Sequence, residues 1–281
     1  MHQNDTPIPR RRGVCGWAFA PDVAPEAIAR RLAAVGLDAF EPVIGRTGGL
    51  TPDSDRPACE RVADAIRCNG VACIPSLVPC FHRTTHVTDP DPQHRQWAID
   101  QTVRALDQAA WLGADVLLWQ APRLVCPRTG SPVPYADALV ATARALEALA
   151  IEAESRNVAI AVEPMGGKFL LSPVECRELI DATACGLVGL YMDTGNVAAF
   201  GDPADWVRTM GYRTLGLHVK EPADGCDWPG VAAALCEAGY TGPLIAEVGP
   251  DGLDLAAVAT RLGELEALLD GPVPPAAAGE R

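Results

Sequence analysis

Residues 158–164 read VAIAVEP, a short apolar run that ends in a glutamate and a proline. A run of this kind, bounded by turn residues, predicts a strand that is buried on both faces of a sheet. An ionisable group at the end of such a strand is costly to bury unless it has a partner. Glu163 is therefore either an ordinary hydrogen-bonded strand-end group or part of a functional site.

The same apolar character recurs along the chain. Seven further runs share it: GVCGWAF from Gly13, DAFEPV from Asp38, VACIPSL from Val71, DVLLWQA from Asp115, GLYMDTG from Gly189, LGLHVK from Leu215 and PLIAEVG from Pro243. Helical patterns separate the runs, and one of them begins with Ser172 and Glu175 at the spacing of a capping box. Eight strand–helix units predict an α/β protein with a single (β/α)8 TIM barrel. The alternative, an open doubly wound sheet, would favour a glycine-rich phosphate turn after the first strand, and CGWAFAPD is not one.

Composition narrows the class of protein. We expect one TIM-barrel domain over residues 13–271, between a disordered N-terminal segment, 1–12, and a disordered C-terminal tail, 272–281. The formal net charge of −13 argues against nucleic acid or a membrane as the partner. None of the ten cysteines falls in a CxxC pair, and a reducing cytoplasm is the expected location. No run of about 18 apolar residues predicts a membrane span.

Ionisable residues end four successive strands in the second half of the chain: Glu163, Asp193, His218 and Glu247. Because the C-terminal ends of barrel strands converge on one face, we expect these side chains to meet. Three carboxylates and one imidazole suit a divalent cation. The expected cofactor is one divalent metal ion, with Mn²⁺ first and Mg²⁺, Co²⁺ or Zn²⁺ as alternatives.

Four short motifs carry a resemblance to a known family. AVEP, YMDTGN, GLHVKE and IAEV, in this order, resemble the xylose isomerase-like barrel superfamily, in which DTGN and HVK are the most specific pieces. The resemblance spans nearly the whole chain. It implies that the four strand-end residues bind the metal and that Glu163 and Glu247 also act as the catalytic acid and base. It further implies a small polyhydroxylated carbonyl substrate and a homo-oligomer.

The reaction that the resemblance implies is isomerisation or epimerisation of a sugar or polyol. A carboxylate would abstract the proton next to a carbonyl, and a metal-stabilised enediolate would follow. On the same site a β-substituent could leave instead, which would make the protein a metal-dependent lyase, either a dehydratase or a C-glycoside-cleaving deglycosidase. An abasic-site endonuclease would need many histidine ligands, whereas only His218 of the five histidines ends a strand. A non-catalytic barrel is expected to have lost a ligand, and all four are present.

Six further positions are expected to bind substrate: Asn196, Lys220, Glu41, Trp17, Trp119 and His82. Asn196 stands where many family members have a histidine, so it is expected either to orient a substrate hydroxyl or to cap the next helix. Lys220 lies on the same strand face as His218, because the two are two residues apart.

The remaining expectations concern the barrel mouth. Glu41 is expected to bind a substrate hydroxyl or to pair with a nearby cation. Trp17 and Trp119 are expected to offer apolar walls for a sugar face, with rim packing as the alternative. His82 lies in the loop after the third strand, where the family often has a substrate contact. The arginine that grips substrate in ketose 3-epimerases is missing from EPADGCDWPG, which argues against a simple 3-epimerase.

Overall fold

Parallel strands form a barrel in the computed structural model, which describes residues 10–80, 86–221 and 225–271. The strands are β1 Arg12–Cys15, β2 Ala39–Glu41, β3 Val43–Ile44, β4 Ser76–Pro79, β5 Val116–Gln120, β6 Ala159–Glu163, β7 Val188–Asp193, β8 Thr214–Val219 and β9 Leu244–Ala246. Their hydrogen-bonded order is β2-β1-β9-β8-β7-β6-β5-β4-β3. Since β2 and β3 are two halves of one strand interrupted at Pro42, the two ends of this order meet and the sheet closes. The predicted single TIM barrel is confirmed.

Helices surround the barrel: α1 Pro25–Ala33, α2 Arg56–Arg67, α3 Pro92–Leu112, α4 Tyr135–Arg156, α5 Pro173–Asp181, α6 Thr194–Ala198, α7 Pro203–Met210, α8 Trp228–Glu237 and α9 Leu255–Asp270. Aspartates begin several of them, as at Asp254, whose side chain accepts hydrogen bonds from the first-turn N–H groups of α9. The predicted capping box is wrong. Ser172 makes no side-chain cap bond, and Glu175 instead accepts a hydrogen bond from the hydroxyl of Tyr135.

Within the described ranges, none of the helices combines the length and apolarity that crossing a bilayer requires.

Several strand boundaries differ from the sequence prediction, and the physical reason is visible at two of them. The third strand was expected over residues 71–77, but β4 occupies Ser76–Pro79. Pro75 cannot donate to a ladder, and its carbonyl accepts the N–H groups of Asp115 and Val116, so regular pairing begins after it. The first strand ends at Cys15, because the chain turns there into the short 3-10 helix Gly16–Ala18.

The barrel has two core layers on opposite faces of the strands. The layer inside the barrel includes Cys15, Ala39, Val43, Val78, Leu118, Ala161, Tyr191 and Ile245. The larger layer lies between the sheet and the helices. Tyr191 is the largest inner residue, and the neighbouring strand accommodates it through Gly216, where a Cβ would lie 2.5 Å from the Tyr191 ring.

The barrel begins slightly before the predicted domain boundary. β1 starts at Arg12, and Arg10 and Arg11 form ion pairs with Asp270 and Asp38. Residues 10–12 are therefore part of the folded unit. The rest of the two predicted terminal segments, 1–9 and 272–281, lies outside the described residues.

Candidate active site and metal centre

Three of the four strand-end residues meet inside the C-terminal end of the barrel. Glu163 and Asp193 lie two positions after the inner-layer residues Ala161 and Tyr191, so alternation along the strands points their side chains inward. His218 pairs with Asp193 across β7 and β8. Its Nδ1 lies 3.9 Å from Glu163 Oε1 and 3.8 Å from Asp193 Oδ2. One potential ligand atom from each of the three residues lies within 4.8 Å of the others. We call these three residues the ligand cluster.

Helix α6 fixes the orientation of two members of the cluster. Asp193 is the N-cap of this helix, and its Oδ1 accepts a hydrogen bond from the backbone N–H of Asn196 at 2.8 Å. The amide side chain of Asn196 donates to Glu163 Oε1 at 3.0 Å. Asp193, rather than Asn196, therefore caps the helix, and Asn196 holds a carboxylate of the cluster.

Glu247 lies at the edge of the cluster and is paired with Lys220. The ammonium Nζ of Lys220 is 2.7 Å from Glu247 Oε2 and 3.6 Å from Asp193 Oδ2. Burial alone would lower the pKa of Lys220, but the charges of Asp193 and Glu247 outweigh it and raise that pKa, so the ammonium stays protonated. Lys220 thus neutralises part of the carboxylate charge.

The site lacks positive charge for the number of carboxylates it buries. Burial, followed by the charge of Asp193, raises the pKa of Glu163 well above its ordinary value, and burial also raises the pKa of Glu247. Asp193 Oδ2 and His218 Nδ1 are buried and have no hydrogen-bond partner among the described residues. Buried polar atoms of this kind normally have partners. Two carboxylate oxygens and an imidazole nitrogen are suitable donors for a divalent cation, so the residues present fit one.

A family model described as xylose isomerase-like TIM barrel matches residues 29–267, which include the whole ligand cluster and Glu247. The chain belongs to this family. No curated protein matches it in sequence. The predicted resemblance, which began from motifs on the last four strands of the barrel, is confirmed.

Solved structures share the fold of this xylose isomerase-like chain at low sequence identity. A D-psicose 3-epimerase crystallised with D-fructose is 17% identical with a TM-score of 0.75, and the match covers 93% of this chain and 100% of that one. An L-ribulose 3-epimerase is 17% identical with a TM-score of 0.74, covering 93% and 95%. A 3-keto-D-glucoside 4-epimerase from E. coli is 16% identical with a TM-score of 0.71, covering 92% and 99%. At such identities the likeness shows the fold alone.

Two residues that were predicted to contact substrate are almost fully buried. Trp119 precedes the inward-facing end of β5 by one residue, so it faces the helices; it is 2% exposed and lines a small cavity with Thr102 of α3. It therefore forms no wall of the barrel mouth. Glu41 does face inward but is fully buried, and it contacts His218 instead of the mouth.

The two remaining predicted substrate contacts are Trp17 and His82. Trp17 follows β1 and is half-buried, and the guanidinium of Arg46 stacks 4.7 Å from its ring centre, so it keeps the position expected of a rim aromatic. His82 lies outside the described residues.

Sequence reasoning missed three polar residues of the barrel interior. Gln120 pairs with Glu163 across β5 and β6 and is partly exposed at the same end of the barrel. Ser76 and Tyr191 lie deeper and bond to Glu41. Strand alternation puts Gln120 on the same face as the inner-layer residue Leu118, but the sequence alone does not show that this face points inward.

Proposed function

We propose that this chain is a divalent-metal-dependent isomerase or epimerase that moves a proton next to the carbonyl of a sugar or polyol. One observation carries the proposal: the ligand cluster contains the buried Glu163, the partly buried Glu247 lies beside it, and Asp193 Oδ2 and His218 Nδ1 have no hydrogen-bond partner among the described residues. The ion would be held by the cluster together with Glu247. We propose Mn²⁺, since three oxygen donors and one nitrogen suit it.

The protein groups divide the proton transfer between them. A bound divalent ion supplies positive charge that stabilises a developing oxygen anion of the substrate. Glu163 takes the proton, because the amide of Asn196 already holds its carboxylate at 3.0 Å. Glu247, in its protonated form, returns a proton as the second acid–base group, and Lys220, 2.7 Å away, keeps its carboxyl group in place.

The substrate class is a small polyhydroxylated carbonyl compound. The fold neighbours named above act on ketoses and on a keto-glucoside, which supports this class. The lyase alternative would be favoured by an aromatic mouth built from Trp17 and Trp119, which would suit a substrate with an aromatic aglycone. With Trp119 facing the helices, that support is lost and we do not propose it.

Proton exchange provides the direct test. The Mn²⁺-loaded chain is incubated in D₂O with D-psicose, L-ribulose or a 3-keto-glucoside, and deuterium next to the carbonyl is measured by mass spectrometry and NMR. We expect exchange with at least one of them, and a loss of about 10²–10⁴-fold in Glu163→Gln and in Glu247→Gln. Glu237→Gln is the matched control, since Glu237 is paired with Arg208 on the outer surface. Exchange that persists after complete chelation, or in both site variants, would refute the proposal.

A further inference from the structure

A buried carboxylate lies beneath the ligand cluster, inside the barrel. Glu41 ends β2 and is fully buried. Its Oε1 accepts hydrogen bonds from the hydroxyls of Ser76 and Tyr191, the latter at 2.5 Å. Its Oε2 lies 2.7 Å from Nε2 of His218. Three residues from three other strands therefore hold one carboxylate.

The surroundings make this carboxylate unusual. Most inner-layer neighbours are small or apolar, such as Val78, Leu118 and Ala161. An ionised group in such a layer is costly unless it is paired and hydrogen-bonded, and a well-packed apolar residue would serve stability at least as well. Every polar side chain that reaches this carboxylate can donate to it: the two hydroxyls at Oε1 and the imidazole at Oε2. The surroundings of Glu41 are therefore arranged for a group that accepts hydrogen bonds.

The carboxylate of Glu41 determines which nitrogen of His218 faces the ligand cluster, because it contacts Nε2 and leaves Nδ1 toward Asp193 and Glu163. A carboxylate only accepts, so Nε2 must carry the proton and donate it to Glu41. In the neutral ring Nδ1 then has a lone pair and no proton. This Nδ1 is the atom that lies 3.8–3.9 Å from Asp193 and Glu163 and has no hydrogen-bond partner among the described residues.

We propose that Glu41 is a positioning residue that holds the imidazole of His218 with Nδ1 presented to the metal. This inference rests on the proposed function, because it assumes that the cluster binds a divalent ion. Histidines that bind metals usually donate their other N–H to a carboxylate or carbonyl, which fixes the ring and raises its basicity. Ser76 and Tyr191 act one step further out by fixing the carboxylate.

Packing of Tyr191 limits the freedom of this arrangement. Its ring meets the His218 ring edge to face, with the centres 4.6 Å apart. A Cβ at Gly216 would lie 2.5 Å from the tyrosine ring, so glycine there leaves room for it. The hydroxyl of Tyr191 is thereby directed at Glu41, and the imidazole plane is fixed on one side.

Manganese affinity of the full chain is the first test. Titration calorimetry measures the Kd of wild type and of Glu41→Gln, which keeps the shape but removes the charge. We expect Mn²⁺ binding to weaken by about 10–100-fold. Tyr191→Phe and Ser76→Ala are expected to weaken it less, in the same direction. Asp89→Asn is the matched control, because Asp89 is also a buried carboxylate but is bonded to Arg128, and its Kd should stay within about twofold of wild type.

The second test determines directly which nitrogen of His218 carries the proton. A merely structural role of Glu41 would not fix this tautomer. Long-range ¹H–¹⁵N spectra of the Zn²⁺-loaded chain, with His218→Ala to identify the signal, should show the proton on Nε2. A proton on Nδ1, or an unchanged Kd in Glu41→Gln, would overturn the inference. So would a second bound ion that is lost in Cys15→Ser, since Cys15, Glu41 and His218 could also form a set of ligands. If wild type binds no divalent ion at all, the proposed function fails first, which separates the two failures.

Discussion

Replacing Lys220 by methionine should tighten Mn²⁺ binding, although it removes a group from the site. The ammonium of Lys220 is 2.7 Å from Glu247 and 3.6 Å from Asp193, so it neutralises the same oxygens that a cation would. Methionine preserves most of the side-chain volume and none of the charge. The substitution therefore leaves the carboxylates without a counterion when no metal is bound.

The expected change in Mn²⁺ affinity and in stability follows from these distances. A charge pair separated by 3.6 Å is worth about 1 kcal/mol in water and about 4–5 kcal/mol at an effective dielectric constant of about 20. The Lys220 side chain is 39% exposed, so solvent screening reduces the net value to about 1–2 kcal/mol. The metal-free variant should lose this amount of stability, and a bound ion would restore it. Its Mn²⁺ Kd should fall by about 5–30-fold.

Two assays test this prediction. Calorimetric titration with Mn²⁺ measures the Kd, and a thermal melt in EDTA should show a Tm about 2–8 °C below wild type. Lys168→Met makes the same substitution at an exposed lysine and should change neither value. An unchanged or weaker Mn²⁺ affinity in Lys220→Met would refute the reasoning, because the ammonium would then not compete with the ion.

Three further outcomes are expected. His218→Ala should lose most of its Mn²⁺ on dialysis, and elemental analysis that finds wild-type metal content would remove His218 from the ligands. The hydrogen bonds from Arg128 hold the pKa of Asp89 below its ordinary value. The stabilisation that ionised Asp89 gives the fold is therefore present above about pH 4 and is lost as the pH falls through the folded-state pKa. Asp89→Asn should accordingly cost about 1–3 kcal/mol in urea unfolding at pH 7, with a deficit that narrows on acidification; a deficit independent of pH would contradict this. Ser172→Ala should be nearly neutral in the same assay while Asp254→Ala costs about 1 kcal/mol, since Asp254 makes side-chain cap bonds and Ser172 makes none; equal losses would disagree with these cap geometries.

The sequence by itself determined the barrel and the site's location at one end of it. Eight apolar runs separated by helical patterns allow few other folds, because each parallel strand must be covered on both faces. Glu163, Asp193, His218 and Glu247 could be identified because each interrupts an apolar run at the end where barrel strands converge. Metal binding by these four residues stays a prediction.

Only the tertiary structure decided which face of each strand points inward. Both faces of a barrel strand are apolar, so the amphipathic alternation that marks the buried side of an ordinary sheet is missing. For that reason Trp119 was expected at the mouth although it faces the helices, and Gln120 beside it was missed. The surroundings of Glu41 also could not be predicted from the sequence. Its place at a strand end could be read from the chain, but its partner His218 comes from a strand distant in sequence. The closure of the barrel brings β2 and β8 to facing positions, and that closure alone joins the two side chains.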